Sequence, residues 1–498
     1  MSVEKSAAMR IMCPALTQQN YRGTFFIMFF TQAAPFVSSF VEALNLAIEK
    51  HKPGCALSRT QRGWISFCIM AILITNSVCW ARFERAGLGG YSLAALSWVF
   101  RHSKIPWELL LVISVRVILK RYGIKEGSLV EDDTDKRRSK STTKIGYLHK
   151  LKDKATGGFL MGQCIVFLVL VTPKITIPVG FRFYMPDPVM TEWNKKNKAL
   201  KKIGIPAQQR PPKPPKNENY PTKQELALSL LEQFRQHHPD IKIRCIVADA
   251  LYGRHSFMDK ASRIYGGIQV ISQLKLDQNV LFMKKKMTVE HYFAKHPGIP
   301  REVTIRGDKQ IKATIGSTRL HVCAHGKKRF VVALKYDGEE RYRYLVASDM
   351  SWRTIDIVQA STQRWLVEVF HEDWKSYEGW GKLTKHQGEE GSSQSLILSL
   401  LTDHCLLLHP EQLARIENNL HACTVGSLQA RVKVDALLDF IRELVSSENP
   451  NERLSQLGEI IKEIFSLEPS KKHMIGRDLG RLEPTPSLKY KAAMAGQL

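Results

Sequence analysis

Apolar residues recur at spacings of three and four through Phe36–Ile48, Trp64–Phe83 and Leu109–Leu119, which predicts helices over the first 120 or so residues. Ser58 and Ser92 stand just ahead of such stretches, where N-caps belong. Gly87-Leu88-Gly89-Gly90 follows a helical pattern rather than a strand, so it reads as a helix stop and not as a phosphate loop. From Ser128 the period changes. Leu129-Val130 predicts a short strand ending in Glu131-Asp132-Asp133-Thr134. Two runs rich in Val, Ile and Phe, Phe159–Val171 and Ile175–Tyr184, predict a hairpin. Residues 194–221 carry many lysines and prolines and read as a linker-like insert. A helix over Thr222–His237 then leads to a strand, Ile241–Ala248, that ends at Asp249. Alternation of strand and helix here predicts an α/β core.

Between 266 and 348 short alternating strands follow one another: Ile268–Leu274, Val303–Arg306, Ile311–Ile315, Arg319–Ala324, Arg329–Tyr336 and Arg341–Ala347. Asp337-Gly338 sits as a hairpin turn between the last two. Helix returns from Arg353 and persists to about Leu467, and the basic tail 470–498 lacks periodicity. The pattern divides the chain into a helical N-terminal region (1–122), a first α/β part (123–250), an all-β insertion (251–350), a helical completion of the α/β part (351–408) and a helical C-terminal region with a basic tail (409–498).

Charge changes the picture most. The 498 residues hold 73 Lys and Arg against 47 Asp and Glu, a net +26. Such a surplus on a chain with 44% hydrophobic residues points to a folded protein with a polyanionic partner, acidic membrane surfaces being the rival. Residues 136–154 alone carry eight positive charges against one negative. Nine cysteines without a C-x-x-C pair do not form a disulfide framework, and the reading is a reducing, intracellular protein. The run Phe159–Val171 has only thirteen residues, against the ~20 that cross a bilayer. Ile65–Trp80 is interrupted by Ser66, Asn76 and Ser77, so no membrane span is expected. Phe25–Phe30 is apolar, but no clean small-residue cleavage site follows it, so no signal peptide is expected.

Three acidic residues fall where carboxylates could converge: Asp133 and Asp249 at strand ends and Glu368 on a helix. Hard oxygen ligands of this kind suit Mg²⁺, and two such ions could drive a phosphodiester displacement. Arg364, Glu368 and Lys375 are four and eleven residues apart, which at ~100° per residue puts all three within about 60° on one helix face. Two cations beside a metal-competent carboxylate suit a site that holds phosphates.

These residues carry a resemblance. Arg364-Trp365-x-x-Glu368 with Lys375 is similar to the R-x3-E-x6-K part of the Y-x2-R-x3-E-x6-K signature of cut-and-paste DDE transposases of bacterial insertion sequences. Asp133-Thr134 resembles their "DDT" segment, and Ala248-Asp249-Ala250-x-Tyr252-Gly253 resembles "A-D-x-x-Y-G". Thr222-Lys223-x-Glu225-Leu226-Ala227-Leu228 resembles the helix ahead of that second motif, and the resemblance runs in order from about 125 to 408. The signature tyrosine is replaced by Ser361.

The resemblance implies an α/β, RNase H-like mixed sheet flanked by helices and interrupted by the β insertion. It implies an enzyme in which Asp133, Asp249 and Glu368 bind two Mg²⁺ ions, with Mn²⁺ able to substitute, while Arg364 and Lys375 hold phosphates. Asp132 adjoins Asp133, and Asp133 is preferred because it directly precedes the threonine. Such an enzyme would nick the end of an insertion element, release it (typically through a hairpin), and join its 3′-hydroxyls to target DNA. Its partners would be double-stranded DNA, as element ends and target, and a second copy in a synaptic dimer with an interface among the C-terminal helices. It would work in the bacterial cytoplasm at the nucleoid. Trp352 is a candidate to stack on a flipped base. Lys284, Lys285 and Lys286 are candidates to track DNA backbone, and Arg59, Arg62, Arg82 and Arg101 are available for phosphates. The alternatives are a decayed or related RNase H-like nuclease that binds DNA without transposing, and a non-enzymatic basic DNA-binding protein.

Overall fold

The computed structural model describes residues 33–138, 144–153, 157–305, 309–381 and 386–464. Phe25–Phe30, Arg306 and the tail 470–498 lie outside the described residues. The chain forms two units, Met1–Glu443 and Leu444–Leu498. The first opens with five helices: α1 (Pro35–His51), α2 (Arg59–Thr75), α3 (Trp80–Ala86), α4 (Leu93–His102) and α5 (Trp107–Tyr122). Ser58 caps α2 in a box with Gln61, and Ser92 caps α4, as the sequence predicts. The predicted helical stretch Trp64–Phe83 is broken at Asn76, whose left-handed φ of 52° ends α2. Every residue from Trp64 to Leu73 is buried, so α2 is a core helix.

The sheet follows: β1 (Glu126–Arg138), β2 (His149–Lys152), β3 (Phe159–Val171) and β4 (Thr176–Tyr184). Next come α6 (Pro188–Lys202), α7 (Lys223–His237), β5 (Lys242–Ala248), α8 (His255–Ile264) and β6 (Gln269–Leu274). About a third of the basic stretch expected as a linker is thus helix, since α6 is capped by Asp187 although it buries nothing. The segment then adds β7 (Asn279–Phe282), β8 (Lys285–Thr288), α9 (Val289–Lys295), β9 (Ile299–Ile305), β10 (Lys309–Val322), β11 (Lys327–Tyr336) and β12 (Arg343–Ala347). It is rich in strands but holds two helices, α8 and α9, which the strand-like alternation does not reveal. Helices α10 (Thr354–Thr362), α11 (Arg364–Tyr377), α12 (Gly388–Leu407), α13 (Pro410–Glu417) and α14 (Val425–Val445) follow. The second unit carries α15 (Pro450–Ile464).

The strands form one twelve-stranded mixed sheet in the order β2-β3-β1-β5-β6-β12-β11-β10-β7-β8, with β4 also on β3 and β9 on β10. β1, β5 and β6 are parallel neighbours, and the other pairs are antiparallel. The fold is therefore α/β, a mixed sheet flanked by helices. Both faces are covered at β3, which is why it reads as a continuous apolar run rather than an alternating one. Ile165, Phe167 and Val169 face a core built with α1, α2, α11 and α12, and Val166, Leu168 and Leu170 face a core built with α7 and α8. β1 divides the same way, with Val130 in the first core and Leu129 in the second. The predicted two-residue strand at Leu129-Val130 is in fact thirteen residues long. Pairing with β3 carries it through the acidic and basic residues as far as Arg138.

Candidate active site

Alternation along β1 sends Val130, Asp132, Thr134, Lys136 and Arg138 to one face and Glu131, Asp133 and Asp135 to the other. The first face is the one that α11 covers. That helix buries Val367, Phe370, His371 and Trp374, spaced by three and four residues. Trp374 lies 5.1 Å from Phe167 of β3 and 5.1 Å from Trp380, and its indole N–H donates to Ser399 Oγ at 2.9 Å. This aromatic stack fixes the helix against the sheet. Its polar residues Arg364, Glu368 and Lys375 are thereby brought beside the polar half of β1.

Arg364 Nη1 lies 3.0 Å from Glu368 Oε1 and 3.5 Å from Asp132 Oδ2, so one guanidinium bridges the two carboxylates. Lys375 Nζ donates to Thr134 Oγ1. Lys136 Nζ donates to the Gly381 carbonyl, and Arg138 donates to Gln163 Oε1 at 2.6 and 2.9 Å. Asp249 joins through the sheet. β1 and β5 run parallel with Val130 beside Val247 and Glu131 beside Ala248. One step further places Asp249 beside Asp132, on the face that Val130 and Val247 share. The Asp249 carbonyl accepts from Ser272 Oγ at 2.8 Å.

Asp132 is nearly buried, and burial raises its carboxyl to about 7. The Asp133 N–H (2.8 Å) and Arg364 oppose this, whereas the negative charges of Glu368 and Asp249 add to it. Three carboxylates that repel one another on one face make a donor set of hard oxygens, and a divalent cation would relieve that repulsion.

Asp133 lies on the opposite face, the one that Lys223 of α7 meets. Its Oδ2 accepts from Lys223 Nζ at 2.6 Å and from Cys164 Sγ at 3.7 Å. Lys223 is the first residue of α7, held in place by the capping box of Thr222 and Glu225. Asp133, Asp135 and Cys164 have potential ligand atoms within 4.8 Å of one another, a grouping that could hold a metal ion. Lys223 already supplies the cation there. Although burial works against it, Cys164 and Asp133 hold the Lys223 ammonium above its usual range. Thr134 shares a face with the residue two before it, so the strand period itself points to Asp132.

Glu131, also on the α7 face, is fully buried with neither carboxylate oxygen hydrogen-bonded. Burial, then the neighbouring charge of Asp132, keeps it protonated well above the usual carboxylate range. Trp352 does not join the site. It packs partly buried against the core. It follows β12, which runs antiparallel to β6 and leaves the sheet at the end where Ser348 N bonds the Val270 carbonyl, away from the end that carries Asp249. Lys284, Lys285 and Lys286 are exposed on the β7–β8 hairpin, seven strands from β1 in the sheet order. The structure thus brings together Asp132, Asp249, Glu368, Arg364 and Lys375, and sets apart Asp133, Trp352 and the three lysines. Of the other arginines, Arg62 pairs with Glu42 at 3.5 Å.

Residues 57–328, more than half of the chain, match the family described as DDE superfamily endonuclease, and the chain belongs to that family. The matched stretch contains Asp132 and Asp249 and ends before Glu368. Endonucleases of this superfamily typically use divalent metal ions. No curated protein matches the chain. Among solved structures it is similar to the piggyBac transposase, seen in a synaptic complex with hairpin DNA, at 11% identity and a TM-score of 0.40. That likeness covers 91% of this chain and 87% of the other. Among the described residues no single helix is long and apolar enough to cross a membrane.

Proposed function

We propose that this endonuclease is a transposase of the insertion-sequence type, cutting the ends of a DNA element and joining its 3′ ends to target DNA. The observation that carries the reading is the meeting of Asp132, Asp249 and Glu368 on one sheet face, with Arg364 between two of them and Lys375 alongside. In this reading the three carboxylates hold two Mg²⁺ ions, or Mn²⁺ in their place. When bound, the ions supply activation of water or a 3′-hydroxyl and stabilisation of the leaving oxygen.

The remaining work belongs to side chains. Asp132 gives up its proton to become a ligand. Arg364 bridges Asp132 and Glu368 beforehand and turns to a phosphate when DNA arrives. Lys375, oriented by Thr134, holds a second phosphate. The partner is double-stranded DNA in the cytoplasm, at the nucleoid, for which the net charge of +26 is suited. Synapsis of two ends requires a homodimer. Ser361 does not stand in for the missing phenol, since its hydroxyl donates to the Val358 carbonyl at 2.7 Å. That substitution favours, as a second reading, a nuclease that cuts without completing strand transfer.

The test is cleavage of DNA carrying the element ends, with Mg²⁺ or Mn²⁺, by the wild type, Glu368→Gln, Asp132→Asn and Asp133→Asn. Boundary nicking that survives only in the wild type and Asp133→Asn supports the proposal. Binding without cleavage by the wild type favours the non-enzymatic alternative. Loss only in Asp133→Asn, with Asp132→Asn active, sinks the assignment of the triad.

A further inference from the structure

Met283, at the tip of the β7–β8 hairpin, is 80% exposed, the most of any large hydrophobic side chain among the described residues. Phe282 pairs with Lys285, so Met283 and Lys284 alone make the turn. Both have left-handed backbones, with φ of 46° and 63°. Such a two-residue turn ordinarily selects Asn-Gly. Here a long apolar and a long basic side chain occupy it, a local cost of the kind that persists where the tip has a use. The base of the hairpin is firm. Phe282 packs against Tyr292 at 5.1 Å and His296 at 5.4 Å, Val280 is buried, and Val289 N–H donates to the Gln278 carbonyl at 2.9 Å.

Basic residues continue from the tip across the sheet. Lys286 pairs with Leu281, Leu281 with His321, and His321 with Lys328, so the four share a row and a face. Arg319, two residues before the half-buried His321 on β10 and itself exposed, extends that face along the strand. The row contains no carboxylate.

We infer that the β7–β8 hairpin is a DNA wedge, in which Met283 enters between base steps of a duplex while Lys284, Lys286, His321, Lys328 and Arg319 hold the phosphates beside it. Methionine is among the apolar side chains that unstack a step and bend duplex DNA, provided that cations secure the backbone around the kink. The row spans three strand spacings, roughly 14 Å, or about four base pairs at ~3.4 Å each. Seven strand spacings separate the hairpin from β1, roughly 30 Å along the sheet. The wedge therefore acts on DNA away from the cut, which makes bent target or flanking duplex its substrate. The inference rests on the proposed function, because it needs duplex DNA as partner.

The experiment uses the full chain carrying Glu368→Gln, so that bound DNA stays intact. Its probe is an end-labelled duplex with or without a central mismatch, read by energy transfer and affinity. The Glu368→Gln protein should bend the duplex and prefer the mismatched one, because an unpaired step is easier to open. Adding Met283→Ala should abolish the bend and the preference while leaving most of the affinity. Adding Lys284→Gln and Lys286→Gln should lower the slope of log affinity against log salt by about two. Bending by the Met283→Ala protein equal to that of its parent overturns the wedge and leaves the transposase reading standing. Failure of the parent to bind any duplex overturns both. A Met283-dependent affinity for anionic vesicles with no effect on DNA would assign the tip to a lipid surface and overturn the wedge.

Discussion

The two faces of β1 carry acidic residues one position apart and treat them in opposite ways. On the α11 face, Asp132 meets two other carboxylates and a single bridging guanidinium, an arrangement short of positive charge that invites cations. On the α7 face, Asp133 is already matched by Lys223, and Glu131 is buried and kept neutral. Identical side chains thus become a candidate metal ligand and a structural anchor, depending only on which helix covers them. The lesson is that an unbalanced cluster is the functional signal, whereas a balanced ion pair points to architecture.

The largest test of this contrast is activity. Asp132→Asn should lower metal-dependent cleavage by several kcal/mol of transition-state stabilisation, on the order of 10³-fold. Asp133→Asn should reduce it far less, and equal losses would break the comparison. Stability should show the reverse order. Lys223→Met leaves Asp133 partly buried and unpaired, and should cost about 2–3 kcal/mol in thermal or denaturant unfolding. Adding Asp133→Asn should recover much of that loss. A double variant no better than the single would show that Lys223 acts mainly through packing.

The raised carboxyl of Asp132 gives a pH test with a definite sign. Its folded value of about 7 exceeds the ordinary 3.8. The folded state therefore keeps a proton that the unfolded chain has released, and stability of the metal-free protein is lost as pH rises from about 4 to about 7. Asp132→Asn should consequently raise the metal-free melting temperature at pH 8 and leave it unchanged at pH 4. Affinity for Mn²⁺, followed by calorimetry, should climb with pH up to about 7 and then level off, with a proton released on binding below that point. A flat affinity across this range would remove Asp132 from the ligand set.

The smallest expected effect tests how firmly the α7 face is anchored. Thr222→Ala removes half of the capping box that sets Lys223 in place and should cost about 1 kcal/mol. Cleavage should change little, since the helix start lies behind the strand.

Much of this was legible in the residues. Periodicity located the helices from Pro35 to Tyr122, and the caps at Ser58, Ser92 and Thr222 follow from local hydrogen bonding. β3 and β5 fall within a residue or so of their expected bounds, because long apolar runs bounded by Pro, Gly or Asp leave few alternatives. The helix spacing already aligned Arg364, Glu368 and Lys375. Helices α8 and α9 escaped notice because each is short and lies among strands whose alternation dominates the pattern. The polar length of β1 beyond Val130 escaped for another reason: its residues look like a loop until partners on both faces satisfy them.

What the sequence determined alone was therefore local: element types, caps, the shared face of the α11 cations, and the charge that calls for a polyanion. Tertiary structure decided which aspartate meets Arg364 and which meets Lys223. Alternation states that Asp132 and Asp133 point apart, but it cannot say which side receives α11 and which receives α7. That choice is made by contacts between residues more than two hundred positions apart, Arg364 with Asp132 and Lys375 with Thr134, which no local rule contains.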